Sequence, residues 1–269
     1  MNKLLKSFKN IIVSFLILIL IWQVLVTAFN INPTLFPAPL KVLDAFKELL
    51  TTGLRGSSSD ATLFSHIGIS LFRFFCGYLL AVVLAVVLGL ILGWFPKVFA
   101  YVNPIVQLIR PIAPVAWLPF IVLWVGIGSA PAIVIIFIAG FFPILLSTVT
   151  AVVSIDPIYL KVAQNFGISR GMTLIKIVFP AIFSQIATSL HLALGSSWVF
   201  LVSGEMVGAQ SGLGFLVMDA KNCIRSDALL ATMITIGLIG LVLDVLIRLF
   251  ERFIAVKFGY GADRFIVND

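Results

Sequence analysis

The sequence predicts an all-α membrane protein whose helices cross a bilayer about six times, and three observations carry that prediction. Of its 269 residues, 61% are hydrophobic and 11% charged, against about a quarter charged in a soluble globular domain. The mean hydropathy is +1.18, too apolar for the chain to cover its own surface in water. Six stretches are apolar over the roughly 20 residues that a helix needs to cross about 30 Å of hydrocarbon. They are Ile11–Phe29, Phe64–Gly93, Val98–Val125, Pro131–Val153, Ala181–Ser203 and Ala228–Phe250. A chain of this length makes one bundle. Residues 1–269 therefore read as a single membrane domain, with an anchor helix at 11–29, a core from about 60 to 253 and an inner loop at 154–180.

Taken in order, the first stretch follows Lys3, Lys6 and Lys9 and ends near Val26-Thr27-Ala28, as a signal peptide would. Its apolar run is longer than the roughly 7–15 residues of a signal-peptide core, so an uncleaved anchor is expected. Pro39–Leu50 reads as a short amphipathic helix, with Val42, Leu43, Phe46, Leu49 and Leu50 on one side and Lys41, Asp44, Lys47 and Glu48 toward water. Gly53–Asp60 reads as a flexible linker. The second stretch carries Arg73 near its outer end, where a long side chain is expected to snorkel to the headgroups. The third is interrupted by Pro104, Pro111, Pro114 and Pro119, so a kinked or broken helix is expected. Such breaks are tolerated at membrane depth only where protein or a cavity covers the freed backbone groups. In the last stretch Asp244 and Arg248 stand four apart, the spacing of a local ion pair.

The formal net charge of +7 reflects membrane orientation and not nucleic-acid binding. With both termini on the inner side, the inner segments hold eleven cations: Lys3, Lys6, Lys9, Lys97, Lys161, Arg170, Lys176, Arg248, Arg252, Lys257 and Arg264. The outer segments hold five, Lys41, Lys47, Arg55, Lys221 and Arg225, with Arg73 and Arg110 left at membrane depth. That bias predicts a multi-pass membrane protein with cytoplasmic N and C termini. Cys76 lies in an apolar run and Cys223 in a polar loop, a placement that suits neither a disulfide nor a metal site.

The inner loop Ser154–Pro180 differs from plain linker. Asp156-Pro157 is an N-cap followed by proline in the first turn. Ile158, Leu160, Val162, Ala163 and Phe166 supply apolar surface, and Gly167 ends the helix. A second short helix, Gly171–Phe179, leads to Pro180 and the fifth stretch. A compact helix held just outside the bilayer has the form of a docking knob for a cytoplasmic partner, the alternative being an amphipathic helix lying on the lipid surface.

This loop resembles the coupling loop of ATP-binding-cassette (ABC) importer permeases, whose motif is Glu-Ala-Ala, three residues, Gly, nine residues, Ile-x-Leu-Pro. Lys161-Val162-Ala163, Gly167, Ile177 and Pro180 stand in register, with departures at Lys161, Val162 and Phe179. Three further segments are similar to the nitrate, sulfonate and taurine group of these permeases. They are Leu35-Phe36-Pro37-Ala38-Pro39, the run from Arg110 to Pro119, and Gly204-Glu205-Met206 with Gly212-Leu213-Gly214-Phe215. The resemblance spans about 35–253. It implies the type I importer permease fold, with the coupling helix between the fourth and fifth spans. It also implies a second permease copy, two ABC ATPase subunits that bind ATP and magnesium, and an extracytoplasmic substrate-binding protein. The chain has no G-x-x-x-x-G-K-[ST] phosphate-binding pattern, so it is expected to bind no cofactor and to be no enzyme itself.

The resemblance places ATPase docking on Lys161, Val162, Ala163, Phe166, Gly167, Arg170, Ile177 and Pro180. Ala163 and Gly167 would allow close approach to the partner, and Val162 and Phe166 would fill an apolar groove. For the substrate path the candidates are Arg110, Trp117, Trp198 and Glu205. Counted as straight helix from Lys97, Arg110 lies roughly 20 Å into the membrane. An arginine there costs about 2.5–3.5 kcal/mol. Two roles fit it: binding a small oxyanion such as nitrate, a sulfonate or taurine, or bonding backbone carbonyls freed by Pro111 and Pro114. Glu205, with Gly208, Gly212 and Gly214, reads as an outer gate, a contact for the binding protein or a plain turn. His66 and His191 stand isolated in the sequence. An ion-gradient-driven carrier, or an importer of vitamin precursors, is the alternative; the chain has few of the intramembrane carboxylates and none of the related halves that mark ion-driven carriers.

Overall fold

The computed structural model describes residues 2–29, 32, 34–57 and 61–257, and their side chains outside 2–12, 15 and 253–257. The side chains of Lys3, Lys6, Lys9 and Lys257, and the residues Ser58, Ser59, Asp60 and Arg264, lie outside that set. The described residues form helices α1 (Asn2–Ala28), α2 (Pro39–Thr51), α3 (Leu63–Trp94), α4 (Pro96–Ile109), α5 (Leu118–Val125) and α6 (Ser129–Val153). They continue as α7 (Pro157–Asn165), α8 (Arg170–Thr173), α9 (Phe179–Gly208), α10 (Leu213–Asn222) and α11 (Ser226–Lys257), with no strand among them.

Among the described residues, four helices are long and apolar enough to cross a membrane: α3, α6, the continuous run Arg170–Gly208 and Ser226–Arg252 of α11. The proline-rich third stretch is broken, as expected. Its two halves meet at 83° around a 3₁₀ turn at Pro114–Trp117. Pro96 opens it beside the end of α3, and at the far end the Gly128 amide bonds the Gly208 carbonyl at 2.7 Å. The pair therefore runs from one face of the bundle to the other and makes a fifth crossing. Of the sixth expected span, α1, the apolar part among described side chains is Leu16–Ala28.

The core is the seam between α3 and α6. Small residues recur every fourth position on α3, at Gly77, Ala81, Ala85, Gly89 and Gly93, and all five are buried. Lipid gives no hydrophobic drive for helices to associate, so close backbone packing must supply the contact. A Cβ added at Gly89 would meet Thr148 Cβ at 2.6 Å, so only glycine permits this approach. Helix α9 then packs on the other side of α6. Trp198 locks it to α11 through an indole N–H donated to the Ile236 carbonyl at 3.2 Å. The same ring stands edge-on to Phe74 of α3 at 5.5 Å.

Two expectations change in the outer region. The start of the supposed flexible linker is fastened down: Leu54 is buried, the Arg55 amide donates to Glu48 and Cys223 Sγ to the Gly56 carbonyl. On α2 it is Val42, Ala45 and Leu49 that turn inward, while Leu43 is exposed. Arg225 clamps α2 to the start of α11 with hydrogen bonds to Glu48 at 3.0 and 3.2 Å. Those bonds hold the Glu48 carboxyl below its ordinary range.

Candidate functional site

Three constellations stand out: an inner knob, a polar cleft and a buried outer ion pair.

The knob is α7. The Asp156 carboxylate accepts from the Ile158 amide at 2.9 Å and caps its start. At the other end Gly167 has φ +66°, with the Ile168 amide on the Ala163 carbonyl at 3.0 Å and the Gly167 amide on that of Gln164 at 3.0 Å. This left-handed glycine closure satisfies two end carbonyls and stops the helix. The apolar residues divide between two faces. Ala163 is buried against the body, with Leu160 half-buried beside it. Ile158, Tyr159, Val162 and Phe166 stand exposed, Phe166 at 78%, with Lys161 among them. Ala163 therefore seats the knob on the bundle and offers nothing to a partner. Arg170 is exposed, and Ile177 and Pro180 are half-buried where the loop joins the fifth span.

No separate second helix precedes that span. Arg170–Gly208 is continuous, and the join is a π-turn at Leu174–Val178, where the Phe179 amide reaches back five residues to the Leu174 carbonyl. The string Gly167 to Gly171 spells G-x-S-x-G. It links two helices and not a strand to a helix, so it forms no nucleophile elbow.

The cleft is lined by Arg110, Pro143, Leu146, Ser147, Thr150, Ala151, Gln185 and Thr188, and holds about 530 Å³. Arg110 sits at the bend of the broken span, opposite α6 and α9. Ser147 and Thr150 lie only about 9 and 5 Å from the α7 end of α6 at 1.5 Å per residue. The 20 Å depth counted along a straight helix is thus too large, because the 83° bend lets α4 lean. The Arg110 guanidinium is exposed and, among the described residues, makes no hydrogen bond or ion pair. It does not bond the carbonyls freed by Pro111 and Pro114.

Trp117 is half-buried at the same bend, and its indole N–H is buried with no acceptor among the described residues. Trp198 does not join the cleft; it is the packing residue between α9, α3 and α11. Glu205 does not join it either.

The outer constellation corrects the reading of Arg73. Its side chain is 3% exposed and does not snorkel. Nη1 bonds Glu205 Oε1 at 2.8 Å and the Ser211 carbonyl at 2.6 Å, Nη2 bonds Ser211 Oγ at 2.8 Å, and Nε bonds Ser129 Oγ at 3.0 Å. The fully buried Glu205 also accepts from Ser70 Oγ and from the Gly214 amide at 3.0 Å. A Cβ on Gly212, at φ +105°, would fall 2.3 Å from the Glu205 carboxylate. The loop between α9 and α10 thus wraps a buried, fully bonded pair. Glu205 and Arg73 pin α3, α6, α9 and that loop together.

Both histidines read as isolated have partners. His66 Nδ1 accepts from the Gly212 amide at 3.0 Å, beside the pin. His191 faces Asp244 at 2.6 Å and Glu251 at 3.4 Å, and Asp244 also bonds Arg248. The spacing of Asp244, Arg248 and Glu251 on one face of α11 was the available signal; that His191 of α9 faces it depends on tertiary packing.

The chain matches the model of the binding-protein-dependent transport system inner membrane component family over residues 81–256. It belongs to that family. The permease is 33% identical to the taurine transport system permease protein TauC of Escherichia coli over 88% of this chain and 85% of the relative. It is 33% identical to the nitrate import permease protein NrtB of Leptolyngbya laminosa over 87% of this chain and 83% of the relative. It is 29% identical to the putative aliphatic sulfonates transport permease protein SsuC of Bacillus subtilis over 88% and 83%. Its fold is that of a chain of the MetNI methionine ABC transporter in an inward-facing form, at a TM-score of 0.56 and 20% identity, covering 69% of this chain and 94% of that one. The permease is thus a multi-pass inner-membrane component of an ABC importer, and it is not the subunit that performs catalysis.

Proposed function

We propose that the permease conducts a small oxyanion of the nitrate, sulfonate or taurine kind, with Arg110 as the fixed cation of the path. The observation that carries this reading is the Arg110 guanidinium, without a partner among the described residues, in a cleft lined by Ser147, Thr150, Gln185 and Thr188. A cation among hydroxyls and an amide, in a cleft near the α7 end of α6, suits an anionic passenger. The relatives named for taurine, nitrate and aliphatic sulfonates support the same class.

In this reading two copies of the permease face each other across the cleft. Two ABC ATPase subunits, which hold the ATP and magnesium, grip the exposed face of α7 through Lys161, Val162 and Phe166. Arg170, Ile177 and Pro180 carry the motion onward, and an extracytoplasmic binding protein delivers the solute. Both termini face the cytoplasm, as the excess of inner cations favours. ATP closes the ATPase pair and rocks the spans between inward-open and outward-open states.

Arg110→Gln tests the path. Reconstituted with its ATPase and binding protein, the variant should hydrolyse ATP at the normal rate while uptake of labelled taurine, nitrate or an alkanesulfonate falls about tenfold or more. Unchanged uptake would remove Arg110 from the path. A wild-type complex that accumulates a neutral solute and no anion would overturn the oxyanion class.

A further inference from the structure

We propose that the π-turn at Leu174–Val178, backed by Pro180, is the flexure through which the docked knob moves α9; this rests on the docking of α7 proposed above. Proline at 180 has no N–H to give the Lys176 carbonyl four residues back, and its ring crowds that carbonyl. The helix answers by widening: the Phe179 amide bonds Leu174 five residues back instead of four. Helix breaks of this kind are attributable to proline and π-bulges, and both coincide here.

The position gives the break its consequence. On one side, α8 leads back through Gly167 and Ser169 to α7. On the other, α9 carries Gln185 and Thr188 into the cleft, roughly two and two and a half turns beyond Phe179. The widened turn is half free. Ile175 is 69% exposed and Lys176 is exposed, whereas Val178 is fully buried among Ala151, Val152, Ile182 and Ile186. The bulged side can therefore open and close without disturbing the packed side. A regular helix would carry a push on α7 straight along its axis; the π-turn lets the knob tilt while the cleft face of α9 keeps its seat on α6.

The deciding measurement is hydrogen exchange on the wild-type complex with its ATPase, in nanodiscs, with ADP and then with ATP and vanadate. Peptides covering 174–179 should exchange differently in the two states by at least about threefold, while those covering 193–201 should not change. No difference at 174–179 overturns the proposal. Pro180→Ala restores the missing donor, and deletion of Ile175 removes the extra residue. In both, ATP-driven taurine uptake should fall about tenfold or more, and the deletion, which removes none of the docking residues, should keep co-purification with the ATPase and ATP hydrolysis within about twofold. Replacement without shortening, Ile175→Ala, should keep uptake near wild type, because length and not side chain makes the turn. Wild-type uptake in both Pro180→Ala and the deletion overturns the proposal, and if neither variant inserts, the exchange result on the wild type decides. A wild-type permease that fails to bind the ATPase would sink the docking reading and the flexure that rests on it, whereas unchanged exchange at 174–179 in an ATPase-bound complex sinks the flexure alone.

Discussion

At the scale of single residues, two arginines exchange the roles that sequence spacing suggests. Arg73 is 132 positions from its partner Glu205, so nothing local announces that it is paired. Arg110 has four prolines around it and looks ready to bond freed carbonyls, yet its guanidinium opens to the cleft. Charge at membrane depth was legible from composition; which charge is spent on structure was not, because that depends on contacts between distant helices. The pin predicts a specific pattern of stabilities. Glu205→Ala leaves Arg73 buried and unpaired, and Arg73→Ala leaves Glu205 so; each should cost about 3–5 kcal/mol. The double variant should lose clearly less than the sum, since no charge remains uncompensated. Thermal unfolding of the detergent-purified permease measures this, and strictly additive losses would mean that the two side chains do not act as a pair.

At the scale of elements, periodicity was a good guide where one helix decides its own fate. The cap at Asp156, the stop at Gly167 and the break at the proline run follow from local chemistry and are found where the residues put them. Faces were harder. The knob's apolar residues form two surfaces, because Ala163 is small enough to let α7 lie on the bundle while Val162 and Phe166 point away from it. An exposed apolar face outside the span ends is not at home in water. Phe166→Asp should therefore abolish co-purification with the ATPase subunit while leaving the permease folded, as judged by its elution profile. Ala163→Leu should instead unseat α7 and lower stability, so the two variants separate docking from packing. Retained ATPase binding by Phe166→Asp would move the docking surface elsewhere.

At the scale of the whole molecule, the decisive feature is the distribution of polar groups over the membrane-embedded surface. The outer faces of α3 and α11 present Phe72, Leu80, Leu88, Leu241 and Leu246, as lipid requires. The wall made by α4, α6 and α9 presents Arg110, Ser147, Thr150, Gln185 and Thr188 instead. Hydrocarbon offers such groups no hydrogen bond, so this wall needs water and a protein neighbour in front of it. The proposed two-fold pair of identical chains would supply both, since an isologous interface would set each surface against its own copy and enclose the cleft between them. Leu192 is 71% exposed one turn along α9 from Thr188, on the side where such a pair would close. In a background with Cys76 and Cys223 changed to serine, Leu192→Cys should yield a disulfide-linked dimer under mild oxidation. Leu88→Cys, on the lipid-facing side of α3, should remain a monomer. Non-reducing electrophoresis of native membranes reads the outcome; cross-linking from Leu88 with none from Leu192 would place the second copy on the other side of the bundle, and the path with it.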